Sequence, residues 1–357
     1  MPMIGLLSGF LLSVANPVPE PPRPAKPLPV HVGGRVLRAS DGSLLFGWPG
    51  VYFESRFNGT AVLVAVDSTT EQMRVLVDGQ QKALLDKAGR TRLAIRDLPP
   101  GDHVVRLEKL TESQAGGGRF LAFYPIVGST PLPAMKRQRQ IEFIGDSYTV
   151  GYGNTSPGTT CTKQEVHDRT DTQRAFGPIT ANRLGADYRV IAYSGRGVVR
   201  NYGGDAPDIT MPTLYPRVLP DDAAHLVGTE AGWRPQVIVI ALGTNDFSTP
   251  LHVGERWQTS DALRADFREK YGAFAKGILA RQPQASLILL APAKADADVR
   301  RVAANVTAGS TRSVTTLSLG KLALAGCDYH PSLADHRALA AMLQTALGRM
   351  PGLWPGQ

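Results

Sequence analysis

The chain has 357 residues, 43% of them hydrophobic and 20% charged, with a formal net charge of +8. That length suits two domains, each able to bury its own core. The charge comes as scattered arginines with no dense basic run, which excludes a nucleic-acid partner and reads as a solvated surface, although an acidic polysaccharide or envelope surface would also suit it.

No stretch is long enough to span a membrane. The spacings Cys-x-x-Cys and His-Glu-x-x-His are absent and the seven histidines are scattered, so neither a metal site nor a cofactor is expected. Residues 4–15 form a short apolar run ending in Ser13-Val14-Ala15, the pattern of a signal-peptide core and its small-residue cleavage site, though without the usual basic n-region. Residues 1–15 are therefore expected to be a leader and the protein to be secreted or periplasmic. Residues 16–29 are proline-rich and read as an extended linker without regular structure.

From 30 to 128 the pattern is one of short β-type runs, at 34–38, 44–48, 51–57, 61–66, 73–77, 91–95 and 103–107. Between them lie the turn dipeptides Asp41-Gly42, Asn58-Gly59 and Asp78-Gly79, which tolerate positive φ. No helical period interrupts them, so an all-β, jelly-roll-type sandwich is expected. Trp48, Tyr52, Phe53 and Phe57 could pack its core or present a sugar-stacking platform; core packing is the commoner use of clustered aromatics. Residues 129–139, with their prolines and basic side chains, read as a hinge.

From 140 to 350 strand and helix alternate. Strands are expected at 141–145, 188–193, 236–242, 286–290 and 313–318, and helices at 173–184, 261–281, 295–305 and 333–347. Leu263, Phe267, Tyr271, Phe274 and Ile278 make one apolar helix face. Ser332 and Asp335 form a capping-box pair before the last helix. Such alternation predicts an α/β domain of three layers around a parallel sheet.

Chemistry-bearing residues gather where these strands end. Ser147 follows Gly145-Asp146 at the tip of the first strand, where α/β sheets place their sites. A serine needs an imidazole to take its proton and donors to hold the oxyanion. His330, pushed out of helical geometry by Pro331, is the candidate base. Asp328 stands two residues before it as the candidate acid, although a backbone carbonyl can also hold such a ring. Asn245, in Gly243-Thr244-Asn245-Asp246, and Gly197 or Gly195, after Ser194, are candidate oxyanion donors. Each has a plainer reading: Ser147 as a helix cap, Asn245 as a turn residue, Asp246 as a brace for its loop. The two cysteines, Cys161 and Cys327, flank this chemistry; in an exported protein they would form a bridge, and otherwise two buried thiols.

Serine, glycine, asparagine and histidine in this order, each behind a strand or before a helix, resemble the SGNH (GDSL-like) hydrolase superfamily. The resemblance implies a flavodoxin-like fold with Ser147 as nucleophile, His330 as base, Asp328 as its orienting acid, and an oxyanion hole of Ser147, Gly197 and Asn245. Longer stretches, Gly47-Trp48-Pro49-Gly50, Gly151-Tyr152-Gly153-Asn154, the run 194–203, the run 241–248 and the run 326–332, are similar to carbohydrate esterase family 2. That family implies a two-domain acetyl esterase acting without metal on polysaccharides such as xylan or glucomannan. A monomer is expected. Where members often carry tryptophan beside the histidine, this chain has Tyr329; with Asn201 and Tyr202 it is expected to meet the sugar. The rival readings are a lipase or thioesterase on the same fold, an esterase for envelope polysaccharide, and a carbohydrate-binding protein with a vestigial site.

Overall fold

Alternation of apolar and polar residues folds the first hundred residues into short antiparallel strands. In the computed structural model, which describes residues 26–228, 232–310 and 312–354, these are β1 (His31–Gly33), β2 (Leu37–Arg38), β3 (Leu44–Phe46), β4 (Tyr52–Gly59), β5 (Val62–Ser68) and β6 (Met73–Val77). They are followed by β7 (Gln80–Leu85), β8 (Gly89–Ile95), β9 (Gly101–Lys109), β10 (Gly118–Pro125) and β11 (Thr130–Pro131). One sheet has the order β1-β4-β9-β6-β7, with β11 also on β4; the other runs β2-β3-β10-β5-β8. The expected leader lies outside the described residues, as does most of the linker.

Trp48, Tyr52, Phe53 and Phe57 are all fully buried, and Phe53 stacks on Phe120 with ring centroids 4.2 Å apart. They are core residues, not a sugar platform. Strand β7 escaped the sequence reading because its first half, Gln80-Gln81-Lys82, is exposed and polar on the edge of its sheet. Strand β10 escaped because three glycines, Gly116 to Gly118, lead into it.

The sandwich also takes in the described end of the segment read as linker and the start of the segment read as hinge. Leu28 is buried and its amide donates to the Phe123 carbonyl at 2.9 Å, so the linker is already docked two residues before the expected boundary. In the expected hinge, β11 pairs with Asn58 and Phe57 of β4. Arg137 then bridges Glu54 of the sandwich, at 2.9 Å, to Asp187 of the next domain, at 3.3 Å. This segment is a strap rather than a free hinge.

The second domain consists of β12 (Gln140–Gly145), α1 (Ser147–Val150), α2 (Lys163–Arg169), α3 (Phe176–Arg183), β13 (Asp187–Ala192) and α4 (Met211–Leu214). Then come β14 (Val237–Ala241), α5 (Ser260–Arg281), β15 (Ser286–Ala291), α6 (Asp296–Thr307), β16 (Val314–Ser318) and α7 (Leu333–Gly348). The sheet is wholly parallel, in the order β13-β12-β14-β15-β16. Side chains of period two cover both faces. Phe143, Val239 and Leu290 meet Phe176 of α3 and Leu339 and Leu343 of α7; Ile144, Ile240 and Leu289 meet Phe267 and Tyr271 of α5 and Val299 of α6. This is the expected three-layer α/β architecture. Short α2, with its Thr162–Glu165 capping box, and α4 lie in stretches where the sequence predicts no helix. No helix among the described residues is long and apolar enough to cross a membrane.

Candidate active site

Strand β12 delivers Ser147 to the C-terminal edge of the sheet. Gly145 passes so close to β14 that an added Cβ would lie 2.8 Å from the Ala241 carbonyl oxygen. Asp146 then caps the one-turn helix α1, its Oδ1 accepting from the Tyr148 amide at 3.0 Å. Ser147 is thus the first residue of that turn. The plain cap belongs to Asp146, which leaves the Ser147 hydroxyl available.

That hydroxyl meets His330: Ser147 Oγ lies 2.9 Å from His330 Nε2. The other ring nitrogen, Nδ1, faces two main-chain carbonyls, Cys327 O at 3.0 Å and Asp328 O at 3.1 Å. Carbonyls only accept, so Nδ1 carries the proton and Nε2 holds the lone pair that faces the serine. Burial holds the imidazole below the ordinary histidine range and keeps it neutral.

Here the structure departs from the expected triad. The Asp328 carboxylate accepts from the Tyr152 hydroxyl at 2.8 Å and makes no hydrogen bond to the ring. The reason is local: Asp328 and Tyr329 both have left-handed backbones, with φ of 50° and 59°. The backbone turn that aims two carbonyls at Nδ1 carries the Asp328 carboxylate elsewhere. Non-glycine residues adopt that conformation at a cost of about 1 to 3 kcal/mol each, so the surroundings must enforce it. They do so through a disulfide between Cys161 and Cys327, whose Cα atoms are 5.5 Å apart, and through Asp328 N–H donating to Thr159 O at 2.7 Å. Gly153 makes room for this loop, since a Cβ there would sit 2.3 Å from Cys327 Cβ.

The Tyr152 ring also covers the imidazole, with centroids 4.3 Å apart. Sequence reasoning did not single it out, although it stands in the Gly151-Tyr152-Gly153-Asn154 block.

The oxyanion side is formed by the turns after β13 and β14. Asn245 Nδ2 donates to the Arg196 carbonyl at 3.0 Å and to Asp146 Oδ2 at 3.2 Å, so it lies between the serine turn and the glycine turn. Asp246, expected to brace its own loop, braces the turn after β13: its Oδ1 accepts from the amides of Val198, Val199 and Arg200 at 3.0, 2.8 and 3.0 Å. Burial pushes Asp146 up to about 7 and Asp246 up to about 6, because a dry space penalises the charged carboxylate.

Gly197 and Asn201 are placed differently from the expectation. Gly197 N–H donates to Asn201 Oδ1 at 3.1 Å, and Asn201 Nδ2 donates to the carbonyls of Asp205 and Ala206, both at 2.8 Å. Asn201 is buried and ties its own loop, so both groups are already engaged within the protein. Gly195, with φ of 80° and open space beside its Cα, is the alternative. Among the described residues nothing accepts from its amide. Tyr202 and Tyr329 are 57% and 70% exposed, presenting aromatic surface to solvent near this edge.

Taken together, a neutral imidazole on a serine hydroxyl, beside amide donors, is a constellation for nucleophilic acyl transfer.

Comparison with known proteins agrees in both domains. Residues 32–134 match the family described as Carbohydrate esterase 2 N-terminal, and residues 143–348 match the GDSL-like Lipase/Acylhydrolase family. The chain is 43% identical to an acetylxylan esterase / glucomannan deacetylase of Cellvibrio japonicus (strain Ueda107), over 99% of each chain. It is similar to a solved carbohydrate esterase whose active site is described as displaying divergent catalytic and non-catalytic binding functions. That likeness has 42% identity and a TM-score of 0.87, and covers 92% of this chain and all of the other. A family two carbohydrate esterase from Clostridium thermocellum, solved with cellohexaose, is 28% identical with a TM-score of 0.79, over 91% of this chain and all of that one. With both domains matched in order and a relative of 43% identity along its whole length, the chain belongs to carbohydrate esterase family 2, on the GDSL-like acylhydrolase fold.

Proposed function

We propose that this esterase removes O-acetyl groups from polysaccharides of the xylan or glucomannan type through an acetyl-enzyme on Ser147. The observation that carries the reading is the 2.9 Å contact between Ser147 Oγ and a His330 Nε2 left unprotonated by its tautomer. As Oγ attacks the acetyl carbonyl carbon, His330 takes its proton. The negative oxygen is met by the amides of Ser147 and Gly195 and by the Asn245 side chain, which turns from one of its present acceptors. Collapse breaks the bond to the sugar oxygen, which leaves with the proton from His330. Water, deprotonated by the same nitrogen, then releases acetate. Tyr202 and Tyr329 offer the sugar flat apolar faces beside the cleavage point.

The relatives' names support the substrate class, and the Cys161–Cys327 bridge supports an oxidising compartment, secreted or periplasmic, where such glycans are met. We take the enzyme to act as a monomer. The test is acetate release from acetylated xylan and acetylated glucomannan by the parent and by Ser147→Ala. Release by the parent alone is expected. Parental release by Ser147→Ala would overturn the assignment of the nucleophile. A parent that hydrolyses 4-nitrophenyl acetate but neither polymer would overturn the substrate.

A further inference from the structure

One loop of the sandwich reaches the C-terminal end of β13 in the hydrolase domain. After β9, residues 110–117 turn around Lys109, whose fully buried ammonium donates to the carbonyls of Gly47, Glu112 and Gly116 at 2.7, 2.8 and 3.0 Å. A buried cation held by three acceptors fixes the loop's course, because leaving any of those bonds unmade would strand charge in a dry interior. From this anchored turn three successive side chains grip the end of β13. Ser113 Oγ donates to Ala192 O at 2.9 Å, Glu112 Oε1 accepts from the Ser194 hydroxyl, and Gln114 Nε2 donates to Ser194 O at 3.0 Å.

The last of these contacts is the informative one. The carbonyl of Ser194 and the N–H of Gly195 are two ends of a single planar trans peptide and point in opposite directions. A donor fixed on the carbonyl therefore fixes the direction of the Gly195 N–H. It also draws density toward oxygen, which makes that N–H a stronger donor. Gly195 has no side chain to hold its own plane, and its φ of 80° is a conformation that glycine enters freely. We infer that Gln114, backed by Glu112, is a positioning residue for the oxyanion hole, so that the β-sandwich supplies part of the hydrolytic machinery. The inference rests on the reading of Gly195 as an oxyanion donor.

Gln114 is exposed, so its replacement leaves the core intact. The experiment measures kcat and KM on 4-nitrophenyl acetate, with a thermal melt, for the parent and for Gln114→Ala, Gln114→Glu, Gln114→Lys and Ser147→Ala. Gln114→Ala is expected to lose about tenfold in kcat with KM nearly unchanged, the size of one hydrogen bond felt in the transition state. Gln114→Glu, which brings an acceptor against a carbonyl, should lose more. Gln114→Lys, which restores a donor, should regain most of the rate. Parental kcat in both the Ala and Glu variants, a loss confined to KM, or equal losses in Glu and Lys would each overturn the inference. If Ser147→Ala keeps parental turnover, the proposed acyl-enzyme chemistry itself fails, whereas parental rates in the Gln114 variants beside an inactive Ser147→Ala overturn only the role given to the Ser194–Gly195 peptide.

Discussion

Tyr152 lies over the imidazole of His330, ring centroids 4.3 Å apart, and its hydroxyl donates to Asp328 Oδ2 at 2.8 Å. The carboxylate of Asp328 is thus engaged by the tyrosine while the imidazole is held by main-chain carbonyls. Replacing Asp328 by Asn should therefore lower kcat by less than about tenfold, whereas loss of a true triad acid costs on the order of ten thousandfold. Tyr152→Phe keeps the packing and should stay close to the parent; Tyr152→Ala removes the cover of the base and should lose at least about tenfold. Steady-state kinetics on 4-nitrophenyl acetate check all three, and a collapse in Asp328→Asn would restore the triad.

The pH dependence has a definite sign. Burial penalises the charged imidazole, so His330 stays neutral to lower pH than an ordinary histidine, and a neutral base is the active form. The acid limb of kcat/KM should accordingly have its midpoint below the ordinary histidine value. Asp328 is the side-chain charge that favours the protonated ring. Asp328→Asn should therefore move the midpoint further down. Asp146 and Asp246, pushed up to about 7 and about 6, titrate nearby, so the displacement in Asp328→Asn is what identifies the limb with His330. An upward or absent displacement would assign it to the aspartates.

The bridge between Cys161 and Cys327 closes a loop with a sequence separation of 166 residues and ends three residues before His330. Removing it frees the unfolded chain and also releases the left-handed pair Asp328 and Tyr329. The double variant Cys161→Ser, Cys327→Ser should lose between about 2 and 5 kcal/mol of stability, the range for native bridges. It should also lose activity at temperatures well below its melting point, because the loop that aims two carbonyls at the imidazole is no longer held. Urea midpoints and rates at low temperature check both parts; full activity in the folded double variant would show that the backbone holds the turn unaided.

Much of this was legible in the sequence because the signals were periodic or fixed by chemistry. The five parallel strands and the long helices follow from runs such as 237–242 and from caps such as Ser332. Ser147, Asn245 and His330 stand where strand ends and an X-Pro step place them. What escaped depends on backbone direction, which sequence spacing does not carry. Two positive φ values turn Asp328 away from the imidazole that it precedes by two residues. Gly197 and Gly195 are equivalent in a string of letters, and only the bond from Gly197 N–H to Asn201 separates them. The grip of Gln114 on Ser194 joins residues 80 apart in sequence, across a domain boundary that composition could locate but not close.

The same boundary makes the last prediction. Arg106 of β9 lies 3.6 Å over the Tyr52 ring, donates to Glu108 at 2.7 Å and Glu54 at 3.3 Å within the sandwich, and reaches Tyr188 of β13 at 2.7 Å. Tyr52 in turn donates to Asp187 at 2.5 Å. A guanidinium serves all these partners at once because its donors lie in one rigid plane that also stacks on an aromatic ring. Arg106→Met keeps much of the volume but leaves two buried carboxylates dependent on Arg74 and Arg137 alone. It should cost about 3 kcal/mol or more, and Arg106→Lys should recover little of it. Since the network spans both domains, the parent should unfold in one transition in urea, followed by tryptophan fluorescence from Trp48 in the sandwich and Trp233, Trp257 and Trp354 on the hydrolase side. Arg106→Met should shift the midpoint down or split the curve in two. Two transitions already present in the parent would mean that the domains fold independently and that this buried network orients them without coupling their stability.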